Sequence, residues 1–229
     1  MGELPKKSDT RVLIETLAVA SVSLIPIVGG SFSIVFQETM GRAYGKRRDK
    51  WLEELSTSLE FLINLVDGLN LDNLAENENF LDALSTATLI VNRSHQQEKI
   101  TALRNAVLNS ALADSPDADK QSMFLQYIAE LTPSHMQLLS LFDNAKEYFR
   151  REDIEWVEVM MGGRSHLVEK AFPSWTRDFY NQLTRQLRSN GLIVIDNLHI
   201  TQSGAGLSDS VTSPFGKEFI HFISEPILD

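Results

Sequence analysis

The chain holds 229 residues, 43% hydrophobic and 23% charged, a composition that fits one large globular domain or two small ones and excludes a disordered protein. Lysine and arginine total 21 against 31 aspartates and glutamates, so the net charge of −10 argues against a protein-wide grip on nucleic acid, which needs a positive surface. With no cysteine, disulfides, thiolate zinc sites, iron–sulfur clusters and a cysteine nucleophile are excluded.

The acidic excess is uneven. Residues 1–50 carry eight basic and five acidic side chains, whereas residues 51–120 carry four and twelve. The positive end coincides with the most apolar stretch, Val12 to Phe36, in which Glu15 is the only charge. At about 20 residues per helical span that stretch is long enough to cross a bilayer. Arg42, Lys46, Arg47, Arg48 and Lys50 would then mark a cytoplasmic side. Pro26 removes a backbone donor, however, and Gly29-Gly30 adds freedom three residues later. The segment therefore reads as a hairpin of two helices, roughly 10–23 and 31–48. It serves either as buried core or as a conditional membrane element. In the second case Lys46, Arg47, Arg48 and Lys50 are the membrane or anion contacts. No clean small-residue cleavage site follows, so a signal peptide is not expected.

Trp51, Leu52, Leu55, Leu59, Leu62, Ile63 and Val66 recur at spacings of three and four, one face of an amphipathic helix that Asp67-Gly68 stops. Phe80 to Val91 and Ile100 to Ala111 mark a second and a third helix. Ala113 to Lys120 is a loop, and Phe124 to Leu131 a fourth helix. Thr132-Pro133 opens a fifth, expected over 133–149. These elements make a helical bundle, residues 1–131, that includes the apolar hairpin 12–36. No repeat period marks it as a solenoid.

Residues 132–229 read as a small α+β module. Ser174 is expected to cap a helix presenting Trp175, Phe179, Leu183 and Leu187, which Asn190-Gly191 ends. Leu192 to Ile195 is a short apolar strand, and Asn197 to Val211 a glycine- and serine-rich turn between two strands. Thr212-Ser213-Pro214 opens a last helix. Helix, strand, flexible loop, strand, helix resembles a winged helix. A regulator that reads DNA this way would use Arg177, Arg185 and Arg188 on the recognition helix. The expected wing holds no lysine or arginine, which favours packing or protein docking.

No enzyme motif is specific enough to use. Gly41-Arg-Ala-Tyr-Gly45-Lys46-Arg47 is one residue too short for a phosphate loop, and arginine stands where a magnesium-binding Ser or Thr belongs. Gly204-Ala-Gly206 lacks the third glycine of a dinucleotide fingerprint. His95, His135, His166, His199 and His221 include no pair at metal-ligand spacing, and Gly162 to His166 reads as a connector. No catalytic, cofactor or metal residue is therefore assigned.

Leu103-Arg-Asn-Ala-Val-Leu-Asn-Ser-Ala-Leu112, an acidic loop, and Phe124-Leu-Gln-Tyr-Ile-Ala-Glu-Leu-Thr-Pro-Ser-His-Met-Gln-Leu-Leu139 follow in an order that resembles bacterial helical proteins of the abortive-infection alpha type, an antiphage-associated family. Gly191-Leu-Ile and Phe215-Gly-Lys-Glu-Phe219 fit the same layout, and together the likeness covers about residues 75–225. It implies a mainly α, non-enzymatic bacterial effector or accessory protein, cytoplasmic or peripheral to the inner membrane. Such a protein would act through a protein partner or self-association, with no cofactor. It implies no catalytic residue.

Overall fold

A computed structural model describes residues 9–22, 33–156 and 161–227, with the side chains of the first two helices described at 9–16 and 45–65. The protein is mainly α. Among the described residues there are twelve helices and one two-stranded antiparallel sheet. The chain forms two compact units, residues 1–130 with 222–229, and residues 131–221.

The first unit contains α1 (Asp9–Val22), α2 (Ser33–Leu65), α3 (Leu71–Glu76), α4 (Glu78–Arg93), α5 (Gln97–Ser110) and α6 (Ala118–Glu130). Its core takes Trp51, Leu55 and Leu59 from α2, Phe80, Leu84 and Val91 from α4, Leu103 and Val107 from α5, and Phe124 and Ile128 from α6. The helices expected over 31–48 and from Trp51 onward are one helix of 33 residues. Nothing at the junction can stop it: Asp49, Lys50 and Trp51 include no proline or glycine, and Lys50 pairs with Glu54 one turn on. Gly68, at φ +82°, marks the turn after α2. Ile25, Ile27 and Val28 of the apolar hairpin lie outside the described residues. Among the described residues no helix is long and apolar enough to cross a membrane.

The second unit contains α7 (Pro133–Asp143), α8 (Ala145–Arg151), β1 (Met161–Gly162), α9 (Ser165–Ala171), α10 (Arg177–Ser189), β2 (Gln202–Ser203) and α11 (Gly204–Ser208). It also takes α12 (Pro214–Ile223) as far as His221. The single helix expected over 133–149 is broken at Asn144. That residue leaves the helical region at φ −147° and its side chain accepts the Glu147 N–H, which starts α8. Thr176, not Ser174, caps α10 by accepting the Phe179 N–H at 3.3 Å. This shift turns the buried face to Tyr180, Leu183, Thr184 and Leu187, and leaves Phe179 42% exposed.

The strand expected over 192–195 shrinks to one antiparallel bridge, Ile193 with Thr212, flanked by Val194 N–H to Val211 O and Ser213 N–H to Leu192 O. Inside the expected turn, β2 instead pairs with β1, Gly162 opposite Gln202 and Met161 opposite Ser203, and α11 follows at once. Gly162 to His166 is thus an edge strand and a helix start rather than a plain connector. Gly163 lets the chain pass close to the Leu198 carbonyl, where a Cβ would sit at 2.9 Å.

Candidate functional site

Lys46, Arg47, Arg48 and Lys50 all lie on α2, but helix geometry disperses them. At about 100° per residue, Lys46 and Lys50 share a side while Arg47 and Arg48 turn about 100° and 200° away. Arg48 binds Asp49 at 2.9 Å and Lys50 approaches Glu54 at 3.4 Å, so carboxylates stand among the cations. Lys46 and Lys50 are exposed, whereas Arg47 and Arg48 are half-buried. The four do not form one flat basic face.

Arg177, Arg185 and Arg188 are all exposed on α10. The Arg177 Nε donates to His199 Nε2 at 3.2 Å, and the Arg188 Nε to Asp196 Oδ1 at 2.8 Å. Arg185 alone of the three makes no such bond among the described residues. The buried cation of this unit is instead Arg164, 4% exposed, which donates to the carbonyls of Gly206 and Leu207 and so fixes α11 beside β1. Burial lowers its pKa, and it has no carboxylate in hydrogen-bond contact. Tyr180 donates to Glu169 Oε1 at 2.9 Å, and its hydroxyl is pushed up to about 12, chiefly by burial and then by that bond. Neither group has the partner a nucleophile or a general base needs. Among the described residues no group of three His, Asp or Glu side chains could hold a metal ion.

What the structure brings together lies in the first unit. Asn105 and Asn109 are one turn apart on α5, both about 5% exposed in an otherwise apolar face. A buried amide needs partners, and these find the returning C-terminal segment. Asn105 Nδ2 donates to Ile223 O at 3.0 Å, and Asn109 Nδ2 lies 2.9 Å from Phe222 O and 2.8 Å from Ser224 O. Phe222 then fills the core beside Phe124, ring centroids 5.6 Å apart. The segment so anchored walls a groove of about 330 Å³, its Glu225 and Pro226 facing Thr57, Phe61 and Leu62 of α2 and Arg104 and Leu108 of α5. Phe61 is 66% exposed at its rim, with Leu65 and Ile227 similarly open. Among the described residues the Arg104 guanidinium has one bond, from Nη2 to Asn105 Oδ1 at 3.3 Å, and its Nε is buried with no acceptor.

No protein-family model, curated protein or solved structure matches the chain. The sequence marked Leu62 as part of a helix face and the run that holds Arg104 and Leu108, but not the groove they form. Two asparagines spaced i, i+4 within the apolar run Leu103–Leu112 were the available signal, since buried amides imply a docked backbone.

Proposed function

We propose that the chain is a non-enzymatic effector or accessory protein, of the bacterial abortive-infection alpha type that its helical order resembles, acting through protein contacts. The groove between α2, α5 and the C-terminal segment carries this reading. Its apolar wall and exposed Phe61 suit an apolar side chain, and Arg104, which makes one long bond among the described residues and none to the Glu225 that shares the groove, suits a carboxylate beside it. The partner is therefore a protein segment presenting an apolar anchor next to an acidic residue. Incorporating a photo-crosslinking phenylalanine analogue at Phe61, with exposed Met123 as the control position, tests the groove in cells. A discrete adduct from position 61, lost on Arg104→Gln, is expected; an adduct at twice the chain mass would make the partner a second copy. Indistinguishable adducts from both positions would overturn the docking reading. Plaque counts on cells with and without the chain test the defence assignment separately.

Recruitment to an anionic membrane through Lys46, Arg47, Arg48 and Lys50 is the weaker part of this reading, given their dispersal around α2. The regulator alternative draws support from the single antiparallel bridge that follows α10, Ile193 with Thr212. It would read DNA through Arg185 first, since Arg177 and Arg188 are engaged within the unit. Gel-shift titration against salt with Arg185→Glu tests it, because binding through phosphates weakens steeply as salt rises.

A further inference from the structure

The segment 51–120 is the most acidic of the chain, and it holds only Arg93, Lys99, Arg104 and Lys120 as bases. Two of these four, Arg93 and Lys99, line the same cavity of about 650 Å³ between α4, α5 and α6, together with His95. No carboxylate lines it. Such segregation in an acidic surrounding is opposite to what dispersed surface charge gives.

Lys99 is the informative member. It is 8% exposed, and among the described residues the one partner of its ammonium is the carbonyl of Ala129, at 2.6 Å. That bond caps the last turn of α6 but uses one of three N–H donors. Lys99 also stands in the first turn of α5, beside the exposed Glu98, where backbone N–H groups face outward. The Gln96 side chain offers no cap there. Burial alone pulls the lysine pKa down, with no anion to raise it. The carbonyl end of α6 partly offsets the cost of burying this cation, and two of its three donors are left for a ligand.

We propose that this cavity binds a phosphate-bearing organic molecule. Arg93, His95 and Lys99 hold the phosphate at the start of α5, where fork-shaped and point-charge donors complement each other. Thr86 and Ser122 add neutral hydrogen-bonding groups, while the Gln126 amide donates to Glu130, and Leu89 with Ile90 supplies an apolar wall for the organic part. A volume of about 650 Å³ lies within the range of small-molecule sites. The site shares no residue with the docking groove and does not depend on that reading.

Calorimetric titration of the full chain with adenosine 5′-monophosphate, pyrophosphate and adenosine tests the assignment. Saturable one-to-one binding of the two phosphates and none of adenosine is the expected result, with the nucleotide the tighter. Arg93→Gln, at an exposed position that leaves the fold intact, should weaken the nucleotide about tenfold, the scale of one charge-assisted contact. Lys99→Met should abolish binding. Should that variant fail to fold, Arg93→Gln and His95→Gln decide alone. No saturable heat at millimolar ligand, adenosine binding as tightly as its phosphate, or affinity unchanged in Arg93→Gln would each overturn the proposal.

Discussion

Gly216 stands at the third position of α12, where the Ser213 hydroxyl accepts its N–H at 2.8 Å. In an open helix, replacing it by alanine would add about 1 kcal/mol of stability. Here a Cβ would collide with the Leu192 carbonyl oxygen and crowd Thr212, so the sign reverses. We expect Gly216→Ala to cost about 1–3 kcal/mol or more by urea midpoint, the range for overpacking a rigid site; a stabilised variant would refute the close approach. On α10, Leu183 is 3% exposed and Phe179 42%, so Leu183→Ala should cost roughly 2–5 kcal/mol and Phe179→Ala about 1 or less. Equal losses in thermal unfolding would return Phe179 to the core. Lys99 gives a pH signature. Burial holds its folded pKa below the ordinary 10.5, so between those values the unfolded chain binds a proton that the folded chain does not. Stability of the wild type relative to Lys99→Met should therefore rise as pH climbs toward 10.5, and stay level near neutrality. Parallel melting temperatures throughout would show that burial does not disfavour the charge.

Elements were legible where pattern and cap agreed. The apolar spacings of three and four from Phe80 and from Ile100 place α4 and α5, and Phe80, Leu84, Ala87 and Val91, with Ile100, Leu103 and Val107, are buried as the spacing marks; that α5 also buries Lys99, Asn105 and Asn109 was not in the pattern. Breaks were less legible, because a residue such as Asn144 is equally at home on a helix surface until its side chain turns to cap the next helix. Conversely, the helices expected over 31–48 and from Trp51 are continuous in α2, because no residue at the junction breaks the helix. The paired edge of β1 and β2 was hidden because two residues per strand leave no period to read, and their partners lie some 40 residues apart. The candidate groove was least legible, being made by backbone carbonyls that two asparagines collect. The continuity of α2 bears on membranes. Replacing Lys46, Arg47, Arg48 and Lys50 together by glutamine should change flotation with anionic liposomes only slightly. A flat patch of four would contribute about 1 kcal/mol per cation near the surface, but these residues point several ways and Arg48 and Lys50 already have carboxylates. A large loss of floated protein in the variant would restore membrane recruitment.

At the scale of the whole chain, sequence order and compact unit part company at the C-terminus. Residues 131–221 form one unit, yet 222–229 belong with residues 1–130. The reason is local: Phe222 is fully buried beside Phe124, and Asn105 and Asn109 bind the backbone of residues 222–224. The first unit is thus completed by residues that follow the second unit in the chain, and its stability hangs on a contact spanning more than 90 positions. Truncating a fully buried phenylalanine costs roughly 3–5 kcal/mol, a large share of what a domain of this size holds. Phe222→Ala should therefore accelerate hydrogen exchange across α4, α5 and α6, where opening has the first unit's free energy. The amides of α7 and α10, whose core is Leu138, Phe142, Leu183 and Leu187, should exchange as before. Asn109→Ala should move the same amides in the same direction by less, since it removes hydrogen bonds and leaves the ring in place. Exchange that quickens equally in α10 would show that the two units open together. Exchange unchanged in α5 would remove Phe222 from the first unit's core.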